Sequence, residues 1–351
     1  MTKGDTSDEC DADDGRLEEV CRRGKITLSD EARGRYSKSY GLAGNHSGVQ
    51  ICLWNRKSIQ GHRGCYKVKF YGIDCHRCAQ MSPALAWCSE ACVFCWRPME
   101  WMKRTSFGED EVDGPELIIA ETVKARRKLV SGIKGGPKCD LKKFDDAFKR
   151  FPSHWAISLS GEPTIYPKLG QMIRMLKENP EVKTVFLVTN GQEPDRLAAL
   201  ARDDSLPTQL YISLAAPSEA LFKKINRSMH KDGWQRLDRS LGLMASLPCR
   251  RVIRLTVIKG LNDGDEAFAG YAALISKSRA DFVEVKSYMA LGFSRKRLGP
   301  DYMAEHEEVK RFSERLLAVM PDYRFEDDDE ISRIVLLKRK DSKSGNMIRN
   351  K

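Results

Sequence analysis

Cys88-Ser89-Glu90-Ala91-Cys92-Val93-Phe94-Cys95 is the stretch on which the reading of this chain turns. It spaces three thiols as C-x₃-C-x₂-C. Three thiolates so close in sequence can hold three irons of a cubane cluster and leave the fourth iron without a protein ligand. An iron left open is a place for chemistry. A structural zinc site prefers four closed ligands, usually as two separated pairs, and no fourth partner stands at that spacing here. Disulfides belong to oxidising compartments. Met1 to Val20 is acidic and lacks the apolar h-region of a signal peptide.

The composition sets the outer bounds. The chain has 351 residues, room for one large domain or two ordinary ones. It carries 60 Lys plus Arg against 49 Asp plus Glu, a formal net charge of +11. That balance suits a polyanion such as nucleic acid, and equally a merely soluble basic protein. No apolar run is long enough to span a bilayer, so a membrane class is excluded and a reducing cytoplasm is the expected location. Of 11 cysteines, Cys10, Cys21, Cys139 and Cys249 are scattered and read as ordinary thiols, while the others crowd between Cys52 and Cys95.

Residues 1–35 are polar and read as a loosely held tail, and residues 339–351 as a frayed basic one. Between them, strand-like runs alternate with helical patterns. His154 to Ser160 ends at Gly161-Glu162-Pro163, and Val185 to Val188 ends at Thr189-Asn190-Gly191. Leu210 to Leu214, Val252 to Ile258 and Phe282 to Val285 continue the series. Helical spacing marks Glu116 to Val130, Tyr166 to Glu178 and Gln235 to Leu247. The alternation implies βαβ units and a parallel sheet. In such sheets ligands collect at the carboxyl ends of the strands. Gly161, Glu162, Pro163, Thr189, Asn190 and Ser213 all fall there, and so does the cysteine loop if it follows the first strand. Tyr66 to Tyr71 also reads as a strand, with Lys67 and Lys69 alternating outward.

The cysteine run, with Phe94 before its last cysteine, resembles the signature of the radical S-adenosylmethionine (SAM) enzymes. That resemblance implies an open α/β barrel of six strands, a partial (β/α)₆ barrel, over residues 81–338. It also implies a 4Fe–4S cluster on Cys88, Cys92 and Cys95 whose open iron takes the amino and carboxylate groups of SAM. Phe94, Thr189, Asn190, Ser213 and Gly161-Glu162-Pro163 form the expected cofactor pocket, the last word receiving the SAM amino group.

Further words sharpen the resemblance: Asn45-His46-Ser47-Gly48-Val49, Cys65-Tyr66-Lys67-Val68-Lys69-Phe70-Tyr71-Gly72-Ile73, His76-Arg77-Cys78-Ala79-Gln80-Met81-Ser82-Pro83 and Met289-Ala290-Leu291-Gly292-Phe293-Ser294-Arg295. Together with Phe94-Cys95-Trp96-Arg97-Pro98 they closely resemble the archaeal-type tRNA 4-demethylwyosine synthases, most densely from Gly44 to Trp101.

The resemblance implies a substrate, N1-methylguanosine beside the anticodon of phenylalanine tRNA, which is condensed with two carbons of pyruvate. It implies a second 4Fe–4S cluster on Cys52, Cys65 and Cys78, carried by an N-terminal extension over residues 36–80, and a Schiff-base lysine at Lys67. Cys75 departs from the pattern: as a fourth ligand it would close that cluster to pyruvate. No flavodoxin-like domain precedes Cys52, so a separate electron donor is expected. Arg295, Lys296 and Arg297 are the favoured RNA contacts. Lys124, Arg126, Arg127 and Lys128 read as a solvated helix face. Trp96 and Trp101 suit base stacking or the core equally. Two competing readings are another radical SAM enzyme acting on RNA or protein and, remotely, a zinc-bound RNA-binding module.

Overall fold

Ten strands form one sheet in the computed structural model, which describes residues 24–98, 104–136 and 138–348. In chain order they are β1 Gly41–Ala43, β2 Ser47–Gln50, β3 Cys78–Ser82, β4 His154–Ile157, β5 Thr184–Thr189, β6 Gln209–Leu214, β7 Arg250–Val257, β8 Phe282–Ser287, β9 Tyr323–Asp329 and β10 Ile334–Arg339. Their spatial order is β1-β2-β3-β4-β5-β6-β7-β8-β10-β9. β3 to β8 run parallel, as the alternating pattern implies. Antiparallel pairs extend both edges, β1 and β2 beside β3, β10 and β9 beside β8. The sheet is therefore mixed, and it does not close.

The edge strands escaped the sequence reading for physical reasons. β1 and β2 are too short to show a period. β9 reads Tyr-Arg-Phe-Glu-Asp-Asp-Asp, a composition strands usually avoid.

Each parallel strand divides its side chains between two cores, because successive residues face opposite sides of a sheet. Val185, Leu187, Leu210, Ile212, Ile253, Leu255, Val283 and Val285 pack against the helices. Phe186, Tyr211, Val252 and Phe282 face the other way and pack against Tyr66, Phe70 and Tyr71. These last belong to a helix, Tyr66–Tyr71, and not to the expected strand. In so short a segment alternation misleads: Tyr66 and Phe70 stand at i and i+4, on one helical face. The helix starts at Cys65 and stops at Gly72, whose φ of +72° is the left-handed conformation common just past a helix end. This plug helix covers the face of the sheet opposite the main core.

The described parts of both tails are docked on the rest of the chain. Residues 1–23 lie outside the described residues. From there inward Ile26, Leu28, Ala32 and Tyr36 are buried in the main core. The helix Asp30–Tyr36 is capped by the Ser29 hydroxyl, which accepts from Ala32 N at 3.2 Å. At the other end Ile348 N donates to Tyr71 O at 3.0 Å, and Asn346 Nδ2 to Glu326 at 2.6 Å. A few apolar or amide groups in a charged segment suffice to dock it.

Candidate active site

The cysteine loop does follow the first parallel strand, leaving β3 after Ser82. Backbone hydrogen bonds stitch it to the segment after β6: Ala91 N to Asn226 O and Arg227 O, both at 3.1 Å, Val93 N to Ile225 O at 2.9 Å and Met229 N to Ser89 O at 2.9 Å. Cys88, Cys92 and Cys95 are all partly open. Glu90, which the sequence reading passed over, is buried between them. It accepts from Cys92 Sγ at 3.1 Å and Asn226 Nδ2 at 3.0 Å, and burial pushes its carboxyl up to about 8. Only its position inside the cysteine run marked it.

The loop after β8 closes on the cysteine loop. Phe293 N donates to Trp96 O at 3.0 Å. Gly292 has a φ of +51°, and a Cβ there would meet Trp96 O at 2.5 Å. Arg297 points inward: its Nε donates to Val93 O at 3.2 Å and its Nη2 to Cys95 O. Arg297 is thus a brace of the cysteine loop, which removes it from the expected RNA contacts. Arg295 and Lys296 remain exposed. Arg126, read as part of a solvated face, is likewise buried and donates to His76 O at 2.7 Å and Cys78 O at 3.0 Å. Trp96 is 39% exposed, whereas Trp101 lies outside the described residues.

Gly161-Glu162-Pro163 follows β4. Glu162 is 2% exposed and both its oxygens are occupied. Oε1 accepts from Thr164 N at 3.0 Å, Thr164 Oγ1 at 2.6 Å and Thr189 Oγ1 at 2.7 Å, and Oε2 from Asn190 N at 2.8 Å. Burial raises its pKa, with these bonds pulling the other way. Glu162 therefore clamps the end of β4 to the end of β5, where the sequence reading had it holding a ligand. Asn190 reaches the cysteine loop, donating to Ser89 Oγ at 3.1 Å with Cys88 Sγ 3.9 Å away. Ser213, on β6, is partly open, Phe94 packs beside the Val93 cluster, and Pro163 opens a single 3₁₀ turn.

The second cysteine set gathers at the opposite end of β3. Cys52 and Cys65 each precede a short helix, and Cys78 opens the strand. All three are partly open and lie close enough to interact electrostatically. Asn55 ties the set together, its Nδ2 donating to Cys75 O and Cys78 O, both at 2.9 Å. At about 3.3 Å per residue, the four steps of β3 put roughly 13 Å of strand between the two ends. Lys67 turns toward the face of the sheet that the plug helix covers. Its Nζ lies 4.4 Å from the Phe186 ring centroid and 4.6 Å from that of Tyr211. The solvent-facing alternative for Lys67 is set aside; Lys69 is the exposed one, paired with Asp327 at 2.7 Å. Burial, and then the Arg254 guanidinium, hold the Lys67 ammonium below its usual range.

Beneath Lys67, Glu284 is fully buried and accepts from Tyr66 Oη at 2.9 Å, Tyr71 Oη at 2.8 Å and Arg254 Nη2 at 2.8 Å. Burial pushes its carboxyl up, but Arg254 and Lys67 outweigh that and keep it low. No pattern in the sequence announces this network, because its members come from β6, β7, β8 and the plug helix.

Among the described residues no three His, Cys, Asp or Glu side chains converge tightly enough to share one metal ion. The three partly open thiols of the cysteine loop are donors of the kind that bind separate irons of a polynuclear cluster.

Residues 83–272 match the family described as the radical SAM superfamily, and residues 277–339 the family described as wyosine base formation. The chain is 46% identical over 325 residues to the S-adenosyl-L-methionine-dependent tRNA 4-demethylwyosine synthase of Pyrococcus abyssi, covering 91% of this chain and 93% of that relative. The chain belongs to the tRNA 4-demethylwyosine synthase family of radical SAM enzymes. The human synthase, TYW1, is 36% identical over 339 residues, 94% of this chain and 44% of the human one. Among solved structures, TYW1 with a lysine-pyruvate adduct bound superposes with a TM-score of 0.78 at 32% identity, over 90% of this chain and 98% of that one. An archaeal TYW1 superposes with a TM-score of 0.73 at 29% identity, over 92% and 100%. Membership brings SAM and a 4Fe–4S cluster with it. The second cysteine set and Lys67 precede both family matches. Among the described residues no helix is long and apolar enough to cross a membrane.

Proposed function

We propose that this protein modifies tRNA by condensing N1-methylguanosine, beside the anticodon of phenylalanine tRNA, with two carbons of pyruvate to form the tricyclic 4-demethylwyosine base. The observation that carries the pyruvate half is the position of Lys67, whose amine lies over the Phe186 and Tyr211 rings and close enough to Cys65 and Cys78 to interact with them electrostatically. A relative that matches 90% of the chain holds a lysine-pyruvate adduct.

In this reading Cys88, Cys92 and Cys95 hold the SAM cluster, and Cys52, Cys65 and Cys78 hold a second one beside the pyruvate. The SAM cluster, when bound, supplies the electron that breaks the SAM sulfonium and starts radical chemistry on the N1-methyl group. The Lys67 amine adds to the pyruvate carbonyl carbon, water leaves, and the ketone carbon is held as an imine. The N1-methylene carbon bonds to that same carbon, the pyruvate carboxylate leaves as carbon dioxide and gives one electron back, and Lys67 is returned when N2 of the guanine takes its place there. The plug helix and the cysteine loop shut the reaction away from water. The base leaves the anticodon stack to enter, at a cost of a few kcal/mol. Arg295 and Lys296, exposed on the loop that braces the cysteine loop, meet the RNA backbone. Electrons come from a separate donor in a reducing, cytoplasmic setting.

The test is anaerobic reconstitution followed by mass spectrometry of tRNA incubated with SAM, pyruvate and dithionite. The tricyclic base should form, and borohydride with labelled pyruvate should leave a three-carbon adduct on Lys67. An adduct on Lys286 or Lys338, partly buried lysines on that face of the sheet, would overturn the role given to Lys67. A modified base lacking pyruvate carbon would overturn the function.

A further inference from the structure

Two cations flank the Tyr211 ring on the face of the sheet that the plug helix covers. The Lys67 amine lies 4.6 Å from the ring centroid and the Arg254 guanidinium carbon 4.9 Å from it. Strand register places Arg254, on β7, between Ser213 on β6 and Glu284 on β8. Directly paired residues present their side chains on one face. A guanidinium carries five N–H donors in a fixed plane. Arg254 spends one edge inward: Nε and Nη2 donate to Glu284 Oε2 at 3.1 and 2.8 Å, and Nη2 also to Tyr66 Oη at 2.5 Å. Glu284 is itself fixed by Tyr66, Tyr71 and Tyr211, the last donating to Oε1 at 3.2 Å. Among the described residues nothing accepts from Arg254 Nη1, and the side chain is still 24% exposed. Arg254 is thus locked in place with one cationic edge left over.

In a 2-keto acid the carbonyl carbon is bonded directly to the carboxylate carbon. An amine that attacks the first needs a donor for the second close by. Lys67 itself meets the Phe186 and Tyr211 rings, which supply none. Other lysines on this face are engaged: Lys286 donates to Ser332 O, and Lys338 to Asn346 Oδ1 at 2.9 Å. On the reading that Lys67 forms the pyruvate imine, we propose that Arg254 binds the carboxylate of the 2-keto acid through Nη1. The charge-assisted bond orients the carbonyl toward Lys67 and selects a keto acid over a neutral ketone. Glu284 and its three tyrosines are positioning residues that act through Arg254.

The experiment measures half-saturation of the borohydride-trapped adduct on Lys67 in the anaerobically reconstituted full chain. The probes are pyruvate and pyruvamide, its neutral amide of the same size. Wild type should favour pyruvate by roughly 10- to 100-fold, the usual worth of a hydrogen bond to a charged group. Arg254→Gln should raise the pyruvate value by about that factor, leave the pyruvamide value nearly unchanged, and keep iron content and SAM affinity. Arg254→Lys, still a cation, should recover part of the preference. A preference for pyruvate that survives in Arg254→Gln would overturn the proposal and place the carboxylate elsewhere, as on an iron of the second cluster. Loss of SAM affinity with that preference intact would move Arg254 to the SAM pocket and overturn it too. Equal half-saturation by both probes in wild type would overturn it without any variant, even if Arg254→Gln failed to fold. A wild-type chain with no adduct on Lys67 would instead overturn the imine reading, and this role with it.

Discussion

Gly161 has a φ of +66°, and a Cβ on it would lie 1.8 Å from Ala84 O and 2.4 Å from Trp87 O. Both atoms are backbone, so neither can yield. Gly161→Ala should therefore displace the chain leading into the cysteine loop and lower iron and SAM binding together. Iron content and equilibrium dialysis check this, and wild-type values for both would refute it. Glu162→Gln tests the clamp. An amide cannot accept four donors, and one poorly satisfied buried group costs about 1–3 kcal/mol. The melting temperature should fall along with SAM affinity; a loss of affinity at unchanged stability would mean that Glu162 contacts SAM directly. His154 carries a pH dependence. It is buried, accepts from Asp74 N at 3.0 Å through Nε2 and pairs Nδ1 with Thr184 Oγ1 at 2.8 Å. Burial lowers its pKa to about 4. The unfolded chain takes up a proton near pH 6.5 that the native His154 refuses. Stability contributed by this group is thus present above pH 6.5 and falls toward pH 4, at up to ~1.4 kcal/mol per pH unit. Urea midpoints should follow that slope in wild type and lose this component in His154→Gln.

Among the elements, the loop after β8 couples two parts of the site. Arg297 reaches two carbonyls of the cysteine loop, a geometry that a planar guanidinium suits and a single ammonium does not. Arg297→Ala and Arg297→Lys should both lose iron from the first cysteine set, read as bound iron in a chain that also lacks Cys52, Cys65 and Cys78. Arg295→Ala should retain it. Equal iron in all three variants would show that the brace is dispensable.

Across the whole molecule the net charge of +11 sets long-range attraction to RNA. Binding to tRNA should weaken with salt along a log–log slope of about −0.7 per phosphate contact in a single-stranded loop. Arg295→Ala and Lys296→Ala should each make the slope shallower by about that amount, measured by filter binding across a salt series. Slopes identical to wild type in both variants would place the RNA surface elsewhere on the chain.

Local chemistry was legible in the chain itself. Thiol spacing depends on a few adjacent residues, so Cys88, Cys92 and Cys95 and the strand-end words around Gly161 and Thr189 could be read directly. The parallel strands were legible too, since burial on both faces leaves continuous apolar runs. Whatever depends on long-range approach was decided only by the tertiary structure. The plug helix carries Lys67 against Phe186 and Tyr211 from strands more than a hundred residues away. Arg126 and Arg297 look like any exposed cations in one dimension, yet each turns inward because buried carbonyls need donors. Gly64 and Cys75 are eleven residues apart in sequence, and nothing in that interval says that they pack so closely that a Cβ on Gly64 would stand 2.9 Å from the Cys75 Cβ. Side-chain direction is set by which backbone groups the fold leaves unpaired, and that is a property of the assembled molecule.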